Sequence, residues 1–140
     1  YFNLDRNDRF RRLGTVRRRG IEMSLAGQIA PGLSVVAGNV LQDAEVSGEE
    51  VRSGLIGKRP VGAFVRHTIV SMDYQWPGHA PLSLNAYFEA TSDRTANAAN
   101  TLQIPARAIV NLGARYRAKV GGVPALVRAR RYTLSLAADL

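Results

Sequence analysis

The stretch Leu82-Ser83-Leu84-Asn85-Ala86-Tyr87-Phe88-Glu89-Ala90 alternates apolar and polar side chains with a period of two. Its even positions carry leucine, alanine and phenylalanine, and its odd positions carry serine, asparagine, tyrosine and glutamate. Successive side chains of a β-strand point to opposite faces, so the stretch predicts a strand with one apolar and one wet face. Residues 108–116 repeat the pattern, with apolar positions at Ala108, Val110, Leu112, Ala114 and Tyr116.

Four further segments alternate less regularly, at residues 17–29, 33–46, 64–74 and 126–138. The last of them places two arginines among the apolar residues of one face: Leu126, Arg128, Arg130, Tyr132, Leu134 and Leu136. We predict that these arginines lie near the rim of a membrane, where charge costs much less than at its middle. The predicted strands run roughly 10–14 residues, against about 5–6 in soluble proteins, which favours strands that span a bilayer.

The connections between these segments alternate strictly between short and long. Short turns containing Pro or Gly fall at residues 30–32, 76–81 and 121–124, and longer polar connections at 6–14, 47–62 and 94–106. Transmembrane barrels have short periplasmic turns and long extracellular loops. The predicted fold class is therefore all-β, an antiparallel transmembrane β-barrel, with about six or seven strands of a larger barrel in this chain.

Composition excludes several other classes. With 46% hydrophobic and 21% charged residues, disorder is not expected. The absence of cysteine excludes a disulfide framework and a thiolate metal site, and no apolar run approaches the ~20 residues of a transmembrane helix. The net charge is +8, which fits either solvated charge at a rim or a polyanionic partner. The start at Tyr1 without Met and the abrupt end at Leu140 predict a piece of a longer protein.

No catalytic, cofactor or metal site is predicted, and we expect the protein not to be an enzyme. His67 and His79 have no second His or Cys at ligand spacing, and the H-E-x-x-H pattern is absent. The acidic pair Glu49-Glu50 lies in a polar connection, where solvation is the simpler interpretation. There is no Walker A sequence and no glycine-rich dinucleotide motif after a strand.

Several ordered motifs together resemble one family. Residues 18–27, RRGIEMSLAG, followed by IAPGLSV at 29–35, are similar to a hairpin of the TonB-dependent siderophore receptors. GKRPVG at 57–62, NAAN at 97–100 and VNLGARY at 110–116 resemble the loop end, last long loop and following strand of that family. The resemblance covers nearly the whole chain, but the family's Asn-Leu-Phe-Asp-like turn and terminal aromatic residue are missing.

The resemblance implies a barrel of about 22 strands with a plug, which imports ferric siderophores or similar scarce nutrients across the outer membrane of a Gram-negative bacterium. Residues 1–140 would form part of the barrel domain, with the plug domain absent from this chain. The implied partners are outer-membrane lipid, lipopolysaccharide, the ferric siderophore and, through an N-terminal plug region, the TonB complex. No cofactor and no nucleic-acid partner are expected.

The same interpretation places individual residues. The lipid-facing set is predicted to comprise Leu82, Leu84, Phe88, Val110, Leu112, Leu134 and Leu136. The lumen-facing set is predicted to comprise Ser83, Asn85, Glu89, Asn111 and Arg115. Connections 47–62 and 94–106 would face outside, and their candidate ligand contacts are Arg52, Arg59, Arg94, Asn97 and Asn100.

Two alternatives stay open from the sequence. A porin or adhesin barrel would lack the plug and the TonB-contacting segment upstream. A soluble basic β-domain that binds nucleic acid or another polyanion would fold alone in water and bind with a steep salt dependence.

Overall fold

A computed structural model describes residues 1–4, 7, 9–76 and 81–134, with the side chains of 132–134 left out. Six long strands dominate: β3 (Thr15–Ala30), β4 (Leu33–Ser47), β5 (Arg66–Gln75), β6 (Leu82–Thr91), β9 (Arg107–Val120) and β10 (Val123–Leu134). Short elements lie in the connections: β1 (Phe2–Leu4), β2 (Phe10–Arg12), α1 (Glu49–Arg52), β7 (Arg94–Thr95) and β8 (Gln103–Ile104). No helix in the described part is long and apolar enough to cross a membrane.

The six long strands form one antiparallel sheet in the order β10-β9-β6-β5-β4-β3, in which neighbours in sequence are neighbours in space. All six predicted strands are confirmed, and their ends differ from the prediction by a few residues. The strands run from 10 to 16 residues, so the predicted excess over ordinary soluble strands is also confirmed.

The connections are sorted as predicted. The turns at Pro31–Gly32 and Gly121–Gly122 lie at one end of the sheet, and glycine supplies the positive φ at Gly32, Gly121 and Gly122. The long connections with their small elements lie at the other end. The third predicted short turn, at 76–81, includes residues 77–80 with His79, which lie outside the described residues.

The strand register separates two faces. Leu84 pairs with Tyr74 and Ala114, whereas Asn85 pairs with Asp73 and Gly113. Apolar side chains are the exposed ones: Ile21, Met23, Leu25, Met72, Leu84, Phe88, Val110 and Leu112. The polar side chains of the opposite face are only half exposed: Ser83, Asn85, Glu89, Asn111 and Arg115. This distribution is the reverse of that in a soluble domain.

The predicted face assignment of the last strand, β10, is wrong. Val127 pairs with Tyr116 on the apolar face, whereas Arg128 pairs with Arg115 on the wet face. Of residues 123–131, the apolar-face positions are thus Val123, Ala125, Val127, Ala129 and Arg131, which pairs with Leu112, and Leu126 belongs to the wet face. Leu134 takes a register position opposite Ile109, which is a wet-face position, and Leu136 lies outside the described residues.

The physical reason is that Arg128 and Arg130 take wet-face positions, whereas the next residue, Arg131, takes the apolar-face position opposite Leu112. A slip of one residue moves every side chain to the opposite face, and in β10 the pairing with β9 decides the register.

Of the buried hydrophobic residues in the described part, all but Val35 of β4 form one cluster, which lies at the long-loop end, away from the sheet centre. Leu13 and Val46 are each 1% exposed and Ile56 is 5% exposed. Tyr1, Val16, Val51 and Ala98 pack around them. A small conventional core thus joins three connections above a sheet whose apolar face is open.

Candidate functional site

The connections at the long-loop end form a joined structure that we name the loop layer, comprising the described residues of 1–14, 48–65 and 92–106. Backbone hydrogen bonds link its parts. The N–H of Gly57 donates to the carbonyl of Ala98 (2.8 Å), and the N–H of Gly62 donates to that of Thr95 (2.9 Å). The N–H of Val61 donates to the hydroxyl of Tyr1 at 3.3 Å. Bonds between backbone groups far apart in sequence restrict independent motion of these connections.

Asn100 joins two connections with a single side chain. Its Nδ2 donates to the carbonyl of Arg59 (2.9 Å), and its Oδ1 accepts the N–H of the same residue (2.7 Å). Its φ of 59° lies in the left-handed region, which asparagine tolerates better than most residues. A Cβ at Gly57 would overlap the Asn100 carboxamide. We call this arrangement of Asn100, Arg59 and Gly57 the clasp.

Asn97 shapes its own turn. Its Oδ1 accepts the N–H groups of Thr101 (3.0 Å) and Leu102 (3.1 Å), and its Nδ2 donates to the hydroxyl of Thr101 (2.7 Å). Asparagine often replaces backbone hydrogen bonds in turns in this way. The carboxamides of Asn97 and Asn100 are therefore already engaged within the loop layer, and their contact with a ligand stays a prediction.

The three predicted arginines occupy different places. Arg52 is exposed at the end of α1. The Nη1 of Arg59 lies 3.7 Å from the Oδ2 of Asp93 across two connections. Arg94 is half-buried in β7, where it pairs with Ile104 and bridges to Phe64.

The structure thus brings Arg59, Asn97 and Asn100 into one network, with a bond from Asn100 Nδ2 to the carbonyl of Asn97 (3.3 Å). Neither the role of Asp93 nor the ion pair of Arg11 with Glu50 (2.9 Å) is predicted from the sequence. No local sequence pattern signals either pairing, because the partners lie on different connections.

The wet face carries polar contacts both within one strand and between different strands. Arg115 reaches over β6 to form an ion pair with Asp73 on β5. The Tyr87 hydroxyl donates to Glu89 (2.8 Å), and Arg107 Nη2 lies 4.0 Å from the other Glu89 oxygen. All five residues predicted for this face lie on it. The wet side of the described wall therefore presents bonded but half-exposed polar groups.

The apolar face contains one polar pair that satisfies itself. Asn39 Nδ2 donates to the Thr68 hydroxyl at 2.7 Å. Both positions share the face of Met23 and Ala90. In a medium without water a polar side chain needs a partner within the protein, and this bond supplies one. Asn39, which breaks the sequence alternation, is compatible with a lipid-facing wall for this reason.

Comparisons with known proteins agree with this geometry. A family model described as TonB dependent receptor-like, beta-barrel, matches residues 1–139. The chain also resembles the crystal structure of BauA, the ferric preacinetobactin receptor from Acinetobacter baumannii, with a TM-score of 0.73 and 26% sequence identity. The match covers 94% of this chain and 21% of BauA, so the chain spans about a fifth of that receptor. No curated protein matches the chain.

Long antiparallel strands, an exposed apolar face, a wet opposite face and sorted connections are the features of a transmembrane barrel wall, and the family model covers almost every residue. The barrels of this family are receptors and transporters of Gram-negative outer membranes and not enzymes. The chain belongs to the TonB-dependent receptor-like β-barrel family.

Proposed function

We propose that this chain is part of an outer-membrane active transporter that imports ferric siderophores or similar scarce nutrients with TonB energy coupling. The observation that supports it most is the likeness to BauA, a ferric preacinetobactin receptor, over 94% of the chain. TonB would act through a plug region outside residues 1–140. The location that fits this function is the outer membrane of a Gram-negative bacterium.

In this proposal the wall and the loop layer have separate tasks. The inner strands pair with a neighbour on both sides over most of their length, which satisfies their backbone polar groups in lipid. The edge strands β3 and β10 would pair with further strands of the intact barrel. The apolar face meets the acyl chains and the wet face lines the interior. The loop layer surrounds the outer mouth, where Arg52, Arg59 and Arg94 would attract and contact an anionic ferric complex. Asn97 and Asn100 are further candidate contacts.

Charged residues on the apolar face, near the long-loop end, are positioned to contact the headgroups of the outer leaflet. At the long-loop end, Arg17 pairs with Glu45 and Arg19 pairs with Asp43, on the same face as Ile21. We propose that these arginines contact lipopolysaccharide phosphates, because guanidinium groups bind phosphate oxygens bidentately. Nucleic acid is not a partner in this proposal.

Transport can be tested in the native host with the complete gene. We expect deletion to abolish uptake of radioactive iron from at least one member of a ferric siderophore panel, and the intact receptor to restore it. Dissipating the proton gradient or deleting TonB should abolish the restored uptake. Uptake that persists without energy would instead support a porin, and no uptake defect with any siderophore would remove the transport proposal.

The ligand contacts need a separate measurement. With a ferric siderophore that the receptor transports, we expect Arg59→Gln and Arg94→Gln to raise the Kd about 10-fold each, as for loss of one charge-assisted hydrogen bond. Lys119→Gln, near the short-turn end of β9, is the control and should leave the Kd unchanged. Equal Kd values for all variants would remove these arginines from the ligand site.

A further inference from the structure

A polar hollow lies on the wet face, in the half of the sheet nearer the short turns. Its volume is about 120 Å³, and the polar residues around it come from four strands: Asp73, Asn85, Arg115, Arg128 and Arg130. Among the described residues that line it, Asp73 is the sole carboxylate. The hollow lies far from the loop layer and is not part of the candidate ligand site.

The strand register forces two guanidinium groups together at this hollow. Arg115 on β9 and Arg128 on β10 are direct cross-strand partners on the same face. Like charges in directly opposite positions destabilise a sheet. Asp73 forms its ion pair with Arg115 from the far side of β6, which leaves Arg128 on the opposite flank of that pair. The hollow therefore carries an excess of positive charge, which an anion from outside this sheet would neutralise.

Backbone space at Gly113 helps to shape the hollow. Gly113 pairs with Asn85 on one side and with Arg130 on the other. A Cβ at Gly113 would overlap the carboxamide oxygen of Asn85, so glycine lets that carboxamide lie over β9. The carboxamide then stands beside the guanidinium groups as a further polar group that can donate a hydrogen bond.

We propose that this hollow is an oxyanion site on the inner wall, which takes one carboxylate or phosphate group between Arg115 and Arg128. Planar guanidinium groups bind such oxyanions with paired hydrogen bonds, and the volume equals about four water molecules at ~30 Å³ each. The oxyanion comes either from an acidic side chain of polypeptide packed inside the intact barrel or from a dissolved anion. The site depends on the barrel fold and not on the identity of a transported nutrient.

The test uses the intact receptor in detergent, with thermal unfolding measured at constant ionic strength in chloride, acetate or inorganic phosphate. Arg128→Gln removes the charge, Arg128→Glu inverts it, and Arg128→Lys keeps the charge without the planar fork. Arg117→Gln is the matched control, since Arg117 is a wet-face residue of β9 that pairs with Leu126 outside the hollow.

A dissolved anion predicts that phosphate or acetate raises the Tm of the wild type and of Arg117→Gln by about 2 °C or more, but not that of Arg128→Gln. An internal carboxylate predicts that Arg128→Gln lowers the Tm in all three salts and Arg128→Glu lowers it further. In both cases the Tm of Arg128→Lys should lie between the Tm of the wild type and that of Arg128→Gln. This comparison keeps the test decisive if Arg128→Glu does not fold. The site would be overturned if Arg128→Gln left the Tm unchanged or raised it and neither phosphate nor acetate changed the Tm of the wild type. That result would show that Arg115 and Arg128 repel each other with no anion between them.

Discussion

Asn100 binds the N–H and the C=O of Arg59 with one carboxamide, at 2.7 Å and 2.9 Å. The two residues lie 41 positions apart on separate connections. The side chain thus replaces a piece of β-ladder between two connections that the sheet alone does not join.

Removing this carboxamide should loosen the loop layer. Glycine accepts the positive φ of position 100, so Asn100→Gly removes the two bonds to Arg59, and the longer one to the Asn97 carbonyl, without adding backbone strain. Each bond to Arg59 contributes about 0.5–1.5 kcal/mol, and we expect amide hydrogen exchange in residues 57–62 of the intact receptor to rise about 5- to 150-fold. Ala99→Gly, at the exposed neighbouring position, is the control. Equal exchange in both variants would mean that the clasp does not hold the loops.

Gly57→Ala should damage the same clasp from the other side. A methyl group there would overlap the Asn100 carboxamide, so one of the two segments must shift. Because Asn100→Gly removes the overlapping group, the double variant should lose less stability than the sum of the single variants. Hydrogen exchange of the loop layer in a double-mutant cycle should show a coupling of about 0.5–3 kcal/mol. Additive losses would place the two residues out of contact.

The two faces of β6 make opposite predictions for accessibility. In the intact receptor in bilayers, a spin label at Leu84 should be relaxed more by a lipid-soluble quencher than a label at Asn85, because Leu84 is on the exposed apolar face. A water-soluble quencher should give the reverse order. If the label at Leu84 is no more accessible to the lipid-soluble reagent, the wall is oriented differently.

The register of β10 can be tested with a pair of adjacent arginine substitutions. Val127→Arg would place a charge on the apolar face, at a cost of up to about 2–4 kcal/mol near the middle of a bilayer. Leu126→Arg falls on the wet face and should cost much less. The free energy of unfolding in bilayers measures both, and a larger cost for Leu126→Arg would restore the face assignment that the sequence alone predicts.

The small core under the loop layer should be locally important. Leu13 is 1% exposed, and truncating a buried leucine to alanine costs about 2–5 kcal/mol. We expect Leu13→Ala to increase proteolytic cleavage within residues 1–14 and 48–65 of the intact receptor, without extracting the strands from the membrane. Val61→Ala, at a much more exposed position, should leave the cleavage pattern unchanged.

Periodicity predicts most of the wall because its strongest strands have little ambiguity. In β6 and β9 apolar residues occupy one parity from end to end, so Leu84 and Asn85 can each be given a face from sequence alone. In β10 the alternation includes Arg128 and Arg130, and the local pattern supports either face. The partner strand resolves it, and that pairing is a long-range property.

The contacts within the loop layer cannot be predicted from periodicity, for a different reason. Asn97 and Asn100 look like available polar contacts in a loop, but their bonds depend on turn geometry and on a segment 41 residues away. The cluster of Leu13, Val46 and Ile56 likewise joins residues from three segments. No periodic pattern encodes such contacts, because the residues between them do not repeat.

Leu13, Val46 and Ile56 pack against one another, so the packing of the loop layer does not depend on contact with lipid. Strands that face acyl chains must tilt or adjust when bilayer thickness changes, whereas a cluster that buries its own side chains has no such dependence. We therefore expect the geometry of the loop layer to be the same in thin and thick membranes.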